Sequence, residues 1–269
     1  MELKIASYNI HKGVSAFGRR ARIHDIKQAL QLLDADLVFL QEVQGQHDHH
    51  AQRHAQWPEH AQHEFLAGES HHAAYGMNAV YAHGHHGNAL LSRFPIRAQQ
   101  NHDVSDHAYE QRGILHSEVC WQDEIIHCYV IHLGLFAASR RRQIQALIAT
   151  VKATAAPNEA IIIAGDFNDW SQSLSASLYQ ELGVKEAFDV DGRHGKAGFG
   201  LHKLRNWLRP HHSAHARTFP ARLPWLCLDR VYLRGFDVIQ AQVLAGAPWD
   251  KLSDHVPICA ELRRLATSA

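Results

Sequence analysis

The feature of this sequence that most restricts its fold is a strand–helix–strand pattern that occurs twice at nearly equal spacing. The first unit runs from Asn9 to Glu42, 33 positions on, and the second from His132 to Asp166, 34 positions on. Short apolar runs predict the strands, and apolar residues at helical spacing predict the helix between them. Each unit is a crossover that brings two strand ends to one edge of a sheet. Two units therefore indicate two sheets packed face to face, with helices outside.

The rest of the chain supplies further strands. Apolar and alternating runs predict strands at residues 2–10, 36–41, 88–92, 113–121, 125–132, 160–164, 226–233, 236–244 and 256–262. Helical spacing predicts helices at residues 25–33, 139–155 and 174–181. Residues 46–66 are polar and predict a loop and a helix, and residues 192–224 read as mostly loop. Because no low-complexity linker divides the chain, we expect one domain over residues 1–269.

Composition narrows the class of protein. The chain is 46% hydrophobic and 20% charged, which is ordinary for a soluble globular protein. Its 27 basic and 27 acidic residues balance, which argues against a protein that coats nucleic acid by charge alone. No apolar run is long enough for a transmembrane helix, and the N-terminus lacks the pattern of a signal peptide. Four scattered cysteines without a CxxC pair predict reduced thiols. We therefore expect a cytoplasmic protein, and a monomer.

The 24 histidines are unusually many. Most stand in polar stretches, which predicts solvated surface side chains. No HExxH or CxxC spacing supports a zinc site of fixed geometry.

Polar residues recur where the apolar runs end. They are Asn9, Glu42, His132, Asp166, Asn168, Asp254 and His255, with Asp229 inside a run. One such Asn or Asp is typical of a turn or a helix cap, but their repetition indicates a shared site. A buried carboxylate such as Asp229 is costly unless paired, and His255 is its natural partner. The oxygens of Asn9, Glu42, Asp166 and Asp254 suit Mg²⁺ or Mn²⁺ rather than zinc.

Seven short motifs give the sequence a family resemblance. They are SYNI at residues 7–10, LQEV at 40–43, GNALLSR at 87–93, HL at 132–133, GDFN at 165–168, LDRV at 228–231 and SDH at 253–255. In this order they resemble the endonuclease/exonuclease/phosphatase superfamily, which includes DNase I-like nucleases, sphingomyelinases and inositol phosphatases. The closer resemblance is to a bacterial branch with SYNIHKG near its start and TFPA, here residues 218–221, before LDR.

The resemblance implies both a fold and a reaction. The fold is an α/β four-layered sandwich of the DNase I-like kind, in which two packed mixed sheets are flanked by helices. The reaction is hydrolysis of a phosphodiester or phosphomonoester by a divalent-metal-dependent phosphoesterase. Mg²⁺ or Mn²⁺ is the implied cofactor.

The resemblance also implies roles for individual residues. Asn9 and Glu42 would bind the metal, and Asp254 would support the metal or His132. Asp166 would orient or deprotonate the attacking water, Asn168 would steady the phosphate, and His132 would contact it. Asp229 would orient His255, which would contact the scissile phosphate or act as acid or base. Asn88 and Arg112 are further pocket candidates, although Arg112 also fits a plain surface arginine.

The substrate is the more open question. Residues 193–222 carry seven Arg or Lys, among them Arg217, and no Asp or Glu. This segment is either a solvated basic loop or a cationic wall that binds an anionic substrate. Basic and aromatic residues together fit nucleic acid, and equally a phospholipid or inositol phosphate headgroup. A nuclease is the leading prediction, and a phospholipid or small-molecule phosphate hydrolase the alternative. A catalytically silent binding module is less favoured, because no expected catalytic position is replaced.

Overall fold

A computed structural model describes residues 2–15, 20–107, 110–170, 173–189 and 216–265 of the chain. Within these ranges the strands are β1 (Glu2–Asn9), β2 (Leu37–His47), β3 (His72–Tyr81), β4 (Gly84–Ser92), β5 (Ile96–Asp103), β6 (Gly113–Trp121), β7 (Glu124–His132), β8 (Ala160–Asp166), β9 (Lys185–Glu186), β10 (Asp229–Arg234), β11 (Phe236–Val243) and β12 (Ile258–Arg264). The helices are α1 (Ile23–Leu33), α2 (Asp48–Arg53), α3 (Gln62–Ala67), α4 (Ala137–Thr154) and α5 (Ser175–Leu182).

The strands form two six-stranded sheets. The first has the order β11-β12-β1-β2-β4-β3, and the second the order β5-β6-β7-β8-β10-β9. Each sheet contains one parallel pair, β1 with β2 in the first and β7 with β8 in the second. The crossover helices are α1 and α4, as the repeated strand–helix–strand pattern predicts. The other pairings are antiparallel, so both sheets are mixed.

Side-chain alternation along the strands divides the apolar residues among three cores. Along β1, Leu3 and Ile5 pack between the two sheets, whereas Ala6 and Tyr8 pack against α1 on the outer face. Along β8, Ile162 faces the other sheet and Ile161 faces α4 and α5. Burial of each large apolar side chain contributes roughly 1.5–3 kcal/mol. The result is a helix–sheet–sheet–helix sandwich, which confirms the predicted four-layered α/β fold.

Several boundaries differ from the sequence-based expectation. β2 was expected to end at Glu42 but continues to His47, through a register shift between Leu40 and Val43. There two residues of β2, Gln41 and Glu42, lie opposite one residue of β4, Asn88, which is a β-bulge. The sequence did not predict β3, β5 and β9, which are all edge strands. Strand β5 is polar and exposed along most of its length, so it lacks the alternation that marks a strand.

The remaining expectations concern two strand starts, the cysteines, membrane helices and the basic segment. Strand β10 begins at Asp229, three residues later than expected, and β12 begins at Ile258, two residues later. All four cysteines are free thiols. Among the described helices, none has the length and apolar character needed to cross a bilayer. The basic segment at residues 193–222 lies outside the described residues up to position 215, and the single-domain assignment stays a prediction.

Candidate active site

The candidate site lies where inward-facing rows of three strands end. Side chains at every second position of a strand share one face. Along β8 the residues that face the other sheet are Ala160, Ile162 and Ala164, and the next in this row is Asp166. In the same way His132 continues the inner row of β7, and Asn9 that of β1. The two sheets therefore bring these polar residues together at one end of the central core.

Asp166 is the centre of this group and is buried. Its Oδ2 accepts a hydrogen bond from Asn9 Nδ2 at 3.2 Å and lies 3.6 Å from Nε2 of both His132 and His255. Its Oδ1 accepts a hydrogen bond from the backbone N–H of Asn168 at 2.9 Å. Strand register explains the placement, because Asp166 pairs with His132 of β7 on one side and with Asp229 of β10 on the other.

Asp229 and His255 form a buried hydrogen-bonded pair. The distance from His255 Nδ1 to Asp229 Oδ2 is 2.8 Å, so a carboxylate holds the proton on Nδ1 and leaves Nε2 directed towards Asp166. Both side chains are buried, at 5% exposure for His255 and 1% for Asp229. The Phe219 ring lies 5.0 Å from the His255 ring, centroid to centroid. The structure thus brings together the pair that the sequence suggested.

The two site histidines differ in charge. Burial lowers the pKa of His255, but the carboxylates of Asp229 and Asp166 outweigh burial and raise it to about 10. Burial lowers the pKa of His132 well below its usual range, and the charge of Arg112 acts in the same direction. Burial also raises the pKa of Asp166 to about 6. Near neutral pH the site therefore offers an imidazolium, a neutral imidazole and a carboxylate that can accept a proton.

A second group of oxygen donors lies beside Asn9. The Glu42 carboxylate is 3.1 Å from the Lys12 ammonium and 3.9 Å from His11 Nδ1, and His11 Nδ1 is 3.3 Å from Asp254 Oδ2. Asn9 Oδ1 accepts a hydrogen bond from the His11 backbone N–H at 3.1 Å. The donor set of two carboxylates and an amide oxygen fits Mg²⁺ or Mn²⁺. Lys12 and His11 lie against these carboxylates, so a bound metal ion would replace contacts that these cationic side chains make.

The pKa values of these carboxylates agree with that interpretation. Although burial raises the pKa of Glu42, nearby positive charges, among them Lys12 and His11, outweigh it and hold the pKa well below its usual range. Burial likewise raises the pKa of Asp254, and its hydrogen bond with His11 outweighs this and lowers it. Both groups are therefore ionised at neutral pH and ready to coordinate a cation.

Backbone strain concentrates at the same place. In the described part of the chain six non-glycine residues have a positive φ, and four of them are His11, Lys12, Glu42 and Asn168. The left-handed conformation costs roughly 1–2 kcal/mol for such residues, and strain of this kind tends to cluster at functional sites. The turn after β1 and the bulge in β2 thus hold His11, Lys12 and Glu42 in conformations that the sequence would not lead one to expect.

The three substrate-binding candidates have different surroundings. The amide of Asn88 is buried and donates to the backbone carbonyls of Gly113 and Val130, at 2.9 and 3.2 Å. Arg112 Nε donates at 3.2 Å to the carbonyl of Leu133, the residue after His132, and Asn168 Nδ2 donates to the same carbonyl at 2.9 Å. Arg217 is exposed, and the described contacts do not bring it to the Asp166 group. Asn88 and Arg112 thus support the end of β7, where His132 lies.

Sequence reasoning missed three residues of this site. His11 and Lys12 were read only as part of a family motif, although they directly follow Asn9 at a strand end, which was the available signal. His86 lies on β4, and its pKa is lowered to about 4 by burial and then by the nearby charge of Lys12. No sequence signal distinguishes His86 from the other histidines, because its proximity to Lys12 and Glu42 depends on strand pairing.

Comparisons with known proteins match nearly the whole chain. The family model described as "Endonuclease/Exonuclease/phosphatase family" matches residues 6–255. The uncharacterised protein YbhP of Escherichia coli (strain K12) is 38% identical over 262 residues, which cover 96% of this chain and 95% of YbhP.

Solved structures share the fold. An endonuclease/exonuclease/phosphatase from Bacteroides vulgatus superposes with a TM-score of 0.73 at 16% identity, covering 98% of this chain and 99% of its own. D. rerio TDP2 complexed with single strand DNA product superposes with a TM-score of 0.67 at 17% identity, covering 97% of this chain and 99% of its own. At these identities the likeness concerns the fold.

Proposed function

This chain belongs to the endonuclease/exonuclease/phosphatase family, and from that premise we propose that it is a divalent-metal-dependent phosphoesterase. Members of the family are typically metal-dependent phosphoesterases. The single observation that carries the proposal is the position of Asp166 Oδ2, 3.6 Å from Nε2 of both His132 and His255, with Asp229 behind His255. Such a group can activate a water molecule and neutralise a phosphate within one small volume.

The proposed roles follow from protonation state. Asp166, with a pKa of about 6, orients water and accepts its proton as the water oxygen attacks phosphorus. His255, an imidazolium fixed by Asp229, donates to a phosphate oxygen and supplies positive charge there. The neutral imidazole of His132 contacts a second phosphate oxygen. Asn168, whose backbone N–H holds Asp166, positions the carboxylate and steadies the phosphate.

We assign the metal to Asn9, Glu42 and Asp254. When bound, Mg²⁺ or Mn²⁺ would polarise the phosphoester and stabilise the leaving oxygen. Before it binds, Lys12 and His11 balance the charge of Glu42 and Asp254. The alternative set of Asp166, Asp229 and His255 has ligand atoms within 4.8 Å of one another. Its imidazole is an imidazolium near neutral pH, because the pKa of His255 is raised to about 10, and it has no free lone pair for a metal. The oxygen-rich set is therefore the better metal site.

For the substrate we propose a nucleic acid first. The D. rerio TDP2 with which this chain shares its fold was solved with a single strand DNA product, and the exposed Arg217 would add a cationic contact to a phosphate chain.

A second candidate, a phospholipid or other small phosphoester, is favoured by a specific observation. Large apolar side chains are exposed on the loops that carry the site residues. They are Leu135 and Phe136 after His132, Trp170 after Asn168, and Leu223 and Trp225 before Asp229. Exposed aromatic residues stack on bases in single strands, but they also enter the interface of a lipid bilayer.

A substrate panel tests the proposal. Purified protein with Mg²⁺ or Mn²⁺ should hydrolyse bis-p-nitrophenyl phosphate, and EDTA should abolish turnover. Single-stranded DNA, duplex DNA, RNA, phospholipid vesicles and inositol phosphates then rank the substrate classes. Absence of metal-dependent turnover on every substrate would refute the enzyme proposal and favour a silent binding module.

Variants test the residue roles. Asp166→Asn and His255→Ala should each reduce kcat by at least about 10²-fold, the scale of acid–base or orienting groups. Glu42→Gln should raise the Mg²⁺ concentration needed for half-maximal activity. Asp237→Asn and His60→Ala, at exposed positions, serve as matched controls and should keep wild-type rates. Near-normal kcat in Asp166→Asn or His255→Ala would contradict the corresponding role.

A further inference from the structure

A second group of potential metal ligands lies away from the candidate active site. His116 and Glu118 are on β6, and His127 is on β7, where it pairs with Glu118. Their neighbours Leu115 and Val119 face the core between the sheets, so by alternation these three side chains lie on the outer face of the second sheet. His127 precedes His132 by five residues of strand, which separates the group from the active site by roughly 16 Å.

The three side chains converge. His116 Nε2 is 3.0 Å from His127 Nδ1, and the ligand atoms of His116, Glu118 and His127 all lie within 4.8 Å of one another. Both imidazoles are buried, at 5% and 3% exposure, while Glu118 is partly open to solvent. The His116 ring stacks on Tyr129, with centroids 4.7 Å apart. The strands thus hold two imidazole nitrogens and a carboxylate at the spacing of ligands around one cation.

The surroundings also orient these ligands. His127 Nε2 lies 3.2 Å from a carboxylate oxygen of Glu159. A carboxylate on one ring nitrogen favours the proton there and leaves the other nitrogen free to bind metal, an arrangement typical of metal-binding histidines. Arg97 Nε donates to Glu118 Oε2 at 2.8 Å and so fixes the direction of that carboxylate. Each ligand therefore has an outer partner, or a stacked ring, that holds it in place.

We propose that His116, Glu118 and His127 form a second metal site that binds a transition-metal cation of the Zn²⁺ class. Two imidazoles and one carboxylate match zinc, cobalt or nickel rather than Mg²⁺.

Zinc titration of the full chain tests this site. In calorimetry with zinc chloride, the wild type should bind one more equivalent of zinc with high affinity than the double variant His116→Asn/His127→Asn. The matched control is His47→Asn/His50→Asn, which removes another stacked histidine pair, on and beside α2, and leaves the same number of histidines. The control should retain the extra equivalent. Equal zinc binding by the wild type and His116→Asn/His127→Asn would overturn the proposal and identify adventitious binding by surface histidines.

Single carboxylate variants guard against misfolding of the double variant. Glu118→Gln removes a ligand but keeps the hydrogen-bonded imidazoles, and Glu159→Gln changes only the outer partner of His127. Loss of such an outer partner typically weakens metal binding by about 10- to 100-fold. A matching loss of zinc affinity in both variants supports the site, because a purely structural pair of histidines would not respond. Unchanged zinc affinity in Glu118→Gln would refute it, even if the double variant fails to fold.

Discussion

Two carboxylates at the candidate active site, Asp166 and Glu42, have different pKa values because different charges surround them. Burial raises the pKa of Asp166 to about 6, and the charge of Asp229 adds to this, although the charge of His255 acts in the opposite direction. Burial acts the same way on Glu42, but nearby positive charges, among them Lys12 and His11, outweigh it and lower the pKa. Carboxylates in one site thus differ as the proposed roles require, with a proton acceptor near neutral pH in Asp166 and an ionised metal ligand in Glu42.

Asp229→Asn is the sharpest residue-scale test of the histidine pair. The Asp229 carboxylate is the largest contributor that raises the His255 pKa to about 10. In the variant the pKa of His255 is lower, so His255 loses its positive charge at a lower pH than in the wild type. We expect kcat to fall by about 10²-fold and the alkaline limb of the pH–rate profile to move down by at least about one unit. A pH–rate series for the variant, with Asp237→Asn as control, measures both, and an unshifted alkaline limb would contradict the assignment.

At the scale of elements, close approach between strands positions the catalytic residues. Gly165 has a φ of +149°, and a Cβ there would lie 2.0 Å from the carbonyl oxygen of Ile131. This contact lets β8 pack against β7 with His132 opposite Asp166. In β2 a bulge has a comparable effect, because the inserted residue places Glu42 beside Lys12.

Gly165→Ala tests this close approach. The added methyl group cannot fit against backbone, so the strands must separate, and we expect a loss of about 2–4 kcal/mol in the free energy of unfolding. The activity should fall with it, because Asp166 and His132 move apart. The control is Gly183→Ala, which has a positive φ but no atom within 4 Å of its Cβ and should cost only about 1 kcal/mol. Urea unfolding measures the stability of both variants. Equal losses would show that backbone conformation alone, and not the close approach of β7, requires glycine at position 165.

At the scale of the whole molecule, many of the described histidines are packed against other side chains, whereas the sequence predicts solvated surface histidines. Several stack on one another or on other aromatic rings, for example His63 on Tyr75 and His47 on His50. In the described part of the chain, burial is the first cause of a lowered pKa for seven histidines, and the values reach about 4 for three. The seven are His47, His50, His63, His85, His86, His116 and His132.

These groups predict that the protein loses stability in mild acid. A histidine whose pKa is about 4 when folded and about 6.5 when unfolded binds more protons in the unfolded state, so stability falls as pH drops below 6.5. For His116 alone the loss at pH 5 is about 2 kcal/mol. His11, His255 and Asp166, with raised pKa values, act in the opposite sense but are fewer. Urea midpoints measured in EDTA should be lower at pH 5 than at pH 7.5, and equal midpoints would contradict the prediction.

The sequence by itself determined the layer architecture and most of the candidate site. Period-two alternation and strand-end position are local properties, so Asn9, His132 and Asp166 could be assigned to one edge before any pairing was known. The strand around Asp229 likewise predicted a buried carboxylate in need of a partner.

Tertiary structure alone decided the rest. The bulge at Glu42, the proximity of His86 and the two hydrogen bonds of the Asn88 amide depend on strands that pair across long stretches of chain. The His116–Glu118–His127 group depends on the register of the β6–β7 hairpin. The polar edge strand β5 shows the same limit, because its neighbour β6 rather than its own pattern makes it a strand. Local sequence determines which face of a strand a side chain lies on, whereas strand pairing determines which other side chains it contacts.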